Sequence, residues 1–137
     1  MDELDQRIIN LLAENARISY TEIASKVGLS SPAVKMRIIR MEEKGIIRGY
    51  RLALNYEALG YLVTAYIQAE VDKENRDSFL NYVRECPNVV ECDGITGDAF
   101  AIMKVRFRST MELDHFLNDL QRFGETSTNI VLSPYRE

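Results

Sequence analysis

The apolar residues of this chain change period partway along, and no single element of secondary structure accommodates both periods. Up to Met41 they recur at three- and four-residue intervals, as on one face of a helix. From Val63 to Val71 they alternate with polar residues, as on a half-buried strand. A helical unit followed by a strand-containing unit is the economical reading, with residues 1–52 as the first, 53–61 as a linker and 62–137 as the second. Units this small are marginal alone, since a domain of about 60 residues buries only ~60% of its unfolded-chain surface, so assembly with further copies is expected to supply part of the stability.

In the first unit Leu4, Ile8, Leu11 and Leu12 mark helix one, with Asp2, Glu3 and Asp5 where the helix dipole favours acidic groups. Ser19 and Glu22 form a capping box that opens a second helix, with Ile23, Ala24 and Val27 inward and Gly28 as its stop. Ser30 or Ser31 caps a third, Pro32 suits its first turn, and Val34, Ile38 and Met41 form its buried stripe until Lys44 and Gly45. Ile46 to Leu54 then suggest a short extended segment, a wing or a linker strand, and Asn55 to Gly60 a hinge.

In the second unit a helix is predicted from about Asn75 to Glu85, ended by Pro87. Val89–Thr96 and Ala99–Arg108 read as strands joined at Gly97-Asp98, where glycine suits a type II′ hairpin turn. Ser109 and Glu112 cap a second helix striped by Leu113, Phe116, Leu117 and Leu120, and a last strand runs from about Thr126 to Leu132. The order is βαββαβ, a ferredoxin-like α+β domain with helices on one sheet face. The other face presents Tyr66, Gln68 and Ile102, a mixed surface suited to a partner subunit.

Charge narrows the function. The net charge is −4, which at first sight argues against nucleic acid, but residues 1–52 hold nine basic against seven acidic groups and residues 53–137 eight against fourteen. Ser30 to Arg51 alone carries six basic residues and two acidic ones. Three helices with a tight turn between the second and third are the parts of a helix-turn-helix, whose third helix enters the ~12 Å wide major groove. With Val34, Ile38 and Met41 inward, Ser31, Ala33, Lys35, Met36, Arg37 and Arg40 are expected on the open side. Arg37 is the foremost candidate for a base contact, because arginine pairs bidentately with guanine; a salt bridge to Glu42 or Glu43 is its bland alternative. Lys35, Arg40, Lys44 and Arg48 are assigned to phosphates. A dimer would place two such helices ~34 Å apart on one face of double-stranded DNA.

Cys86 and Cys92 form no CxxC pair and His115 is the only histidine, so neither a metal nor a cofactor is expected. No apolar run approaches the ~20 residues of a membrane span and the N-terminus is acidic, so a cytoplasmic location is expected.

Taken together, these residues give the chain a resemblance to the Lrp/AsnC family of transcription regulators. It is carried by Leu4-Asp5, Ile8-Ile9, Asn15 to Ser19, Ile23-Ala24, Val27 to Ser30, Arg37-Ile38, Met41 to Ile47, Leu59-Gly60 and Thr96 to Asp98. The resemblance implies homodimers that pair through their C-terminal sheets, often gathered into octamers, and a free amino acid bound between subunits. Carried over by position, the effector candidates are Thr96, Gly97, Asp98, Ala99 and Phe100, with Thr126, Ser127 and Thr128 from a neighbouring subunit. Gly97 and Asp98 could equally serve only as the hairpin turn. Two other functions stay open: a haem-pathway decarboxylase-like enzyme, since some of those resemble this family, and an architectural protein that compacts DNA with little sequence preference.

Overall fold

A computed structural model describes all residues, 1–137. The chain divides into two compact units, Met1–Leu54 and Asn55–Glu137.

The first unit holds three helices, α1 (Glu3–Glu14), α2 (Tyr20–Val27) and α3 (Ser31–Glu43). Each begins on a capping side chain, which satisfies amide groups that the first turn leaves without partners. Asp2 and Asp5 form a reciprocal capping box on α1, Ser19 accepts from the Glu22 amide, and Ser30, not Ser31, accepts from the Ala33 amide. Gly28 ends α2 at φ +75°, a left-handed conformation that costs glycine little. Ile8, Ile23, Ala24, Val27, Val34, Ile38 and Met41 make the core, and burying each of the larger ones contributes roughly 1.5–3 kcal/mol. The segment expected to form a wing or linker strand is not a strand: residues 45–54 lack regular structure beyond a turn, and Ile46, Tyr50, Leu52 and Leu54 are exposed.

In the second unit the elements are β1 (Val63–Ala69), α4 (Arg76–Glu85, preceded by a 3-10 turn at Lys73–Asn75), β2 (Val89–Gly94), β3 (Ala101–Phe107), α5 (Thr110–Leu120) and β4 (Thr126–Ile130). The strands form one antiparallel sheet in the order β2-β3-β1-β4, the ferredoxin-like arrangement. Alternation decides the faces. Val63, Ala65, Ile67 and Ala69 are buried together with Ala101, Met103, Val105 and Phe107 opposite them, under Phe79 and Val83 of α4 and Leu113, Phe116 and Leu120 of α5.

The other sheet face aligns Gln68 with Ile102 and Ser127, and Tyr66 with Lys104 and Asn129. Asn55–Tyr61, read from sequence as a hinge, is a compact turn fastened to this second unit. The Asn55 side chain accepts from the Ala58 amide, and the Arg106 and Arg108 guanidinium groups lie 3.7 Å and 4.5 Å from the ring centres of Tyr56 and Tyr61.

Candidate nucleic-acid interface and the second-unit loop

Helix α3 is seated by Val34, Ile38 and Met41, whose side chains are at most 2% exposed. At about 100° per residue, Lys35, Met36 and Arg40 fall on the side away from that seam. All three are exposed, as are Lys44 at the helix end and Arg48 beyond it. Ser31 and Ala33 are half-buried, and the Ser31 hydroxyl donates to the Thr21 hydroxyl at 3.4 Å, linking the start of α3 to α2.

Arg37 departs from expectation. It lies about 60° around the helix from Val34, on the flank of the buried seam rather than on the open side. Its Nη1 donates to Asp2 Oδ1 and Oδ2 at 2.8 Å and 2.7 Å and to Asp5 Oδ1 at 3.0 Å, so its ion-pair partners are the capping carboxylates of α1, not Glu42 or Glu43. The hydrogen bond from Arg37 holds the Asp2 carboxyl below the usual carboxylate range, and the bonds to Asp2 and Asp5 raise the guanidinium's own pKa. Sequence reasoning placed Asp2 and Asp5 in the first turn but missed this pairing; an acidic pair three residues apart at a helix start was the only signal. Arg7 is exposed but is also bonded within the unit, its Nη2 donating to the Lys26 carbonyl at 2.8 Å. The remaining cations of this unit, Arg17, Lys26, Lys35, Arg40, Lys44, Arg48 and Arg51, are exposed.

The second-unit loop also differs from its expected form. Strand pairing ends at Gly94 and Ala101, and a bond from the Ile95 amide to the Phe100 carbonyl (3.3 Å) closes a longer connection than a two-residue turn. Phe100 is held from both sides, its carbonyl accepting from Ile95 and its amide donating to the Ala69 carbonyl of β1 at 2.9 Å. Thr96, Gly97 and Asp98 are exposed at the tip, with Gly97 at φ +101°. Ala99 is buried, and the Phe100 ring packs edge-on to Phe79 (6.1 Å) beneath the Arg76 guanidinium (4.5 Å), so these two side chains serve the unit's own core.

Thr126 pairs with Ala69, which also pairs with Ala101, so Thr126, Ser127 and Thr128 begin at the same end of the sheet as the loop. Ser127 is exposed on edge strand β4, while Thr126 and Thr128 are half-buried. His115 is exposed on α5 and lines a cavity of about 400 Å³ with Tyr61, Asn88, Phe107, Arg108 and Glu112.

A three-helix unit with a capped, outward-facing cationic helix, joined to a ferredoxin-like unit with an exposed glycine loop, defines a DNA-binding regulator. Comparison with known proteins specifies the kind. Residues 1–42 match the AsnC-type helix-turn-helix domain and residues 64–137 the Lrp/AsnC ligand binding domain. The chain is 40% identical over 139 residues to the proline dehydrogenase transcriptional activator of Rhodobacter capsulatus, covering 96% of this chain and 90% of that one. It is 29% identical over 133 residues to the transcriptional regulator LrpA of Bacillus subtilis, covering 96% and 98% respectively.

Among solved structures, B. subtilis LrpC superposes with a TM-score of 0.94 at 29% identity, covering 99% of this chain and 97% of that one. A Neisseria meningitidis transcriptional regulator in complex with L-Met gives 0.94 at 26% identity, covering 100% and 93%. The chain belongs to the Lrp/AsnC family of helix-turn-helix transcriptional regulators. No helix in it is long and apolar enough to cross a membrane.

Proposed function

We propose that the chain recognises a specific DNA site as a homodimer, assembling further to an octamer, and that its response is set by a free amino acid bound between subunits. Residues 1–52 dock on DNA and residues 62–137 assemble and sense. The observation that carries the DNA part is the opposition of two faces on α3: Val34, Ile38 and Met41 sealed inside, and Lys35, Met36 and Arg40 outside with Lys44 and Arg48 following. Met36, 56% exposed, is an apolar group suited to a base edge, and Ser31 and Ala33 flank the entry of the helix. Lys35, Arg40, Lys44 and Arg48 supply phosphate contacts that position the unit without reading sequence.

The sheet face bearing Tyr66, Gln68 and Ile102 suits a second copy, and a two-fold pair of recognition helices spaced ~34 Å apart suits a pseudo-palindromic site. For the effector, exposed amides at Gly97 suit a carboxylate, and Asp98 suits an ammonium group. Thr126, Ser127 and Thr128 of a neighbouring subunit would close the site; the L-Met complex of the Neisseria relative supports an amino acid as its occupant.

The decisive experiment selects a duplex from a random library and compares affinities for it and for unrelated DNA, with and without each amino acid, at known oligomer mass. A specific regulator favours its site by ~10³-fold or more. Replacing Lys35 or Arg40 by Ala should weaken binding to both duplexes and reduce the salt slope by ~1. Equal affinity for both duplexes in the wild type would refute the reading.

A further inference from the structure

We propose that Asp2, Asp5 and Arg37 form a clamp that sets the angle of α3 against α1, making Arg37 a positioning residue for DNA reading rather than a reader of bases. The inference rests on the DNA function proposed above. It starts from how α1 is held. Ile8 is the only residue of that helix fully inside the core; Leu4, Ile9, Leu11 and Leu12 are half-buried around it. Apolar contacts are non-directional, and the one long-range polar bond of α1 outside its start, from Arg7 to the Lys26 carbonyl, goes to α2, so neither fixes its angle to α3.

Asp2 lies six residues before Ile8, about 9 Å along the axis at 1.5 Å per residue, and there the Arg37 guanidinium supplies a second point of attachment. These directional bonds at the start of α1 restrict its angle to α3 more narrowly than the apolar contacts do alone.

The carboxylates are themselves held in place. Asp2 Oδ1 accepts the Asp5 amide at 2.9 Å and Asp5 Oδ2 accepts the Asp2 amide at 3.1 Å, so the capping box holds both carboxylates in a fixed arrangement toward Arg37, which bonds Asp2 Oδ1 and Oδ2 and Asp5 Oδ1. Two carboxylates around one guanidinium leave the cluster with net negative charge, which opposes approach to a phosphate. The Arg37 side chain is also only 24% exposed. Its cation is therefore engaged inside the unit, and base reading falls to Met36 on the free face of α3, with Ser31 and Ala33 beside the entry of the helix.

The test is a cycle of three full-length variants, Arg37→Met, Asp2→Asn with Asp5→Asn, and all three together, with circular dichroism to verify folding. Each is measured on the selected duplex and on a random duplex across a salt series, and the ratio of the two affinities is the readout, which cancels the non-specific gain from deleting carboxylates. A clamp predicts that the ratio falls about tenfold in the arginine variant, as much in the aspartate variant, and no further in the combination. The salt slope on random DNA stays unchanged in Arg37→Met.

A ratio maintained or raised by the aspartate changes but lowered by Arg37→Met would make Arg37 a base reader and overturn the proposal. A salt slope reduced by about one in Arg37→Met would make it a phosphate contact and overturn it equally. If Arg37→Met does not fold, Arg37→Lys, which keeps the charge but not the planar fork, replaces it in the cycle with the same expectations. A wild type with no preference between duplexes would bring down the DNA reading itself, before any variant is compared.

Discussion

Gly124 is the position at which a single added carbon should be least tolerated, and the cost can be built from its surroundings. Its φ of +151° lies where side-chain-bearing residues are rarely found, and a Cβ would be driven into the Glu70 carbonyl oxygen, with the Val71 Cα 3.3 Å away. The strands come this close because the Glu70 amide donates to the Glu125 carbonyl at 2.8 Å and the Asp72 amide to the Phe123 carbonyl at 3.2 Å, on either side of the glycine. Admitting a methyl group means parting those bonds, at ~0.5–1.5 kcal/mol each. The strained backbone adds about 1–3 kcal/mol. Alanine's lower unfolded-state entropy returns ~0.4–1 kcal/mol. The net for Gly124→Ala is a destabilisation of about 3 kcal/mol.

Gly97 is the internal control. It also has positive φ, +101°, but a Cβ there meets nothing within 4 Å, so Gly97→Ala should cost only the backbone strain, at the low end of ~1–3 kcal/mol. Urea unfolding followed by circular dichroism at one fixed protein concentration measures both, because assembly links stability to concentration. A Gly124→Ala cost no greater than that of Gly97→Ala would refute the close-approach argument.

Two further outcomes are expected. Phe79 is fully buried, its ring 5.7 Å from that of Phe123 and 6.1 Å from that of Phe100, so Phe79→Ala should cost ~3–5 kcal/mol and lower the calorimetric midpoint of the second unit by at least ~10 °C; a shift of only a few degrees would contradict its place in the core. The Asp2 carboxyl titrates below its ordinary value of 3.8 because Arg37 bonds its charged form, so its stabilising effect is complete above that value and is lost as pH falls through the lower, folded one. The gap in thermal midpoint between wild type and Asp2→Asn should accordingly be constant from about pH 8 to 5 and close below about pH 4, whereas closure already near pH 6 would assign the effect to another group.

What the linear order of residues determines here is everything that depends on period and on local caps. The 3.6-residue repeats of Leu4, Ile8 and Leu11 in α1 and of Val34, Ile38 and Met41 in α3, and the two-residue repeat of Val63 to Val71, decide helix against strand, because each puts apolar groups on one face only for one backbone geometry. Ser19, Ser30 and Ser109 cap helices through bonds spanning three residues, so those starts are legible too.

Tertiary structure decides the matters that depend on partners distant in sequence. Arg37 faces Asp2 and Asp5 across more than thirty residues, and its place on the flank of α3 tells nothing by itself about which charge waits there. The Ile95–Phe100 loop is tied to β1 where the Phe100 amide reaches the Ala69 carbonyl, and the Asn55–Tyr61 turn is held by Arg106 and Arg108, groups about fifty residues away. Apolar patterning tells a side chain which way to face; only the assembled chain tells a polar group what it will meet.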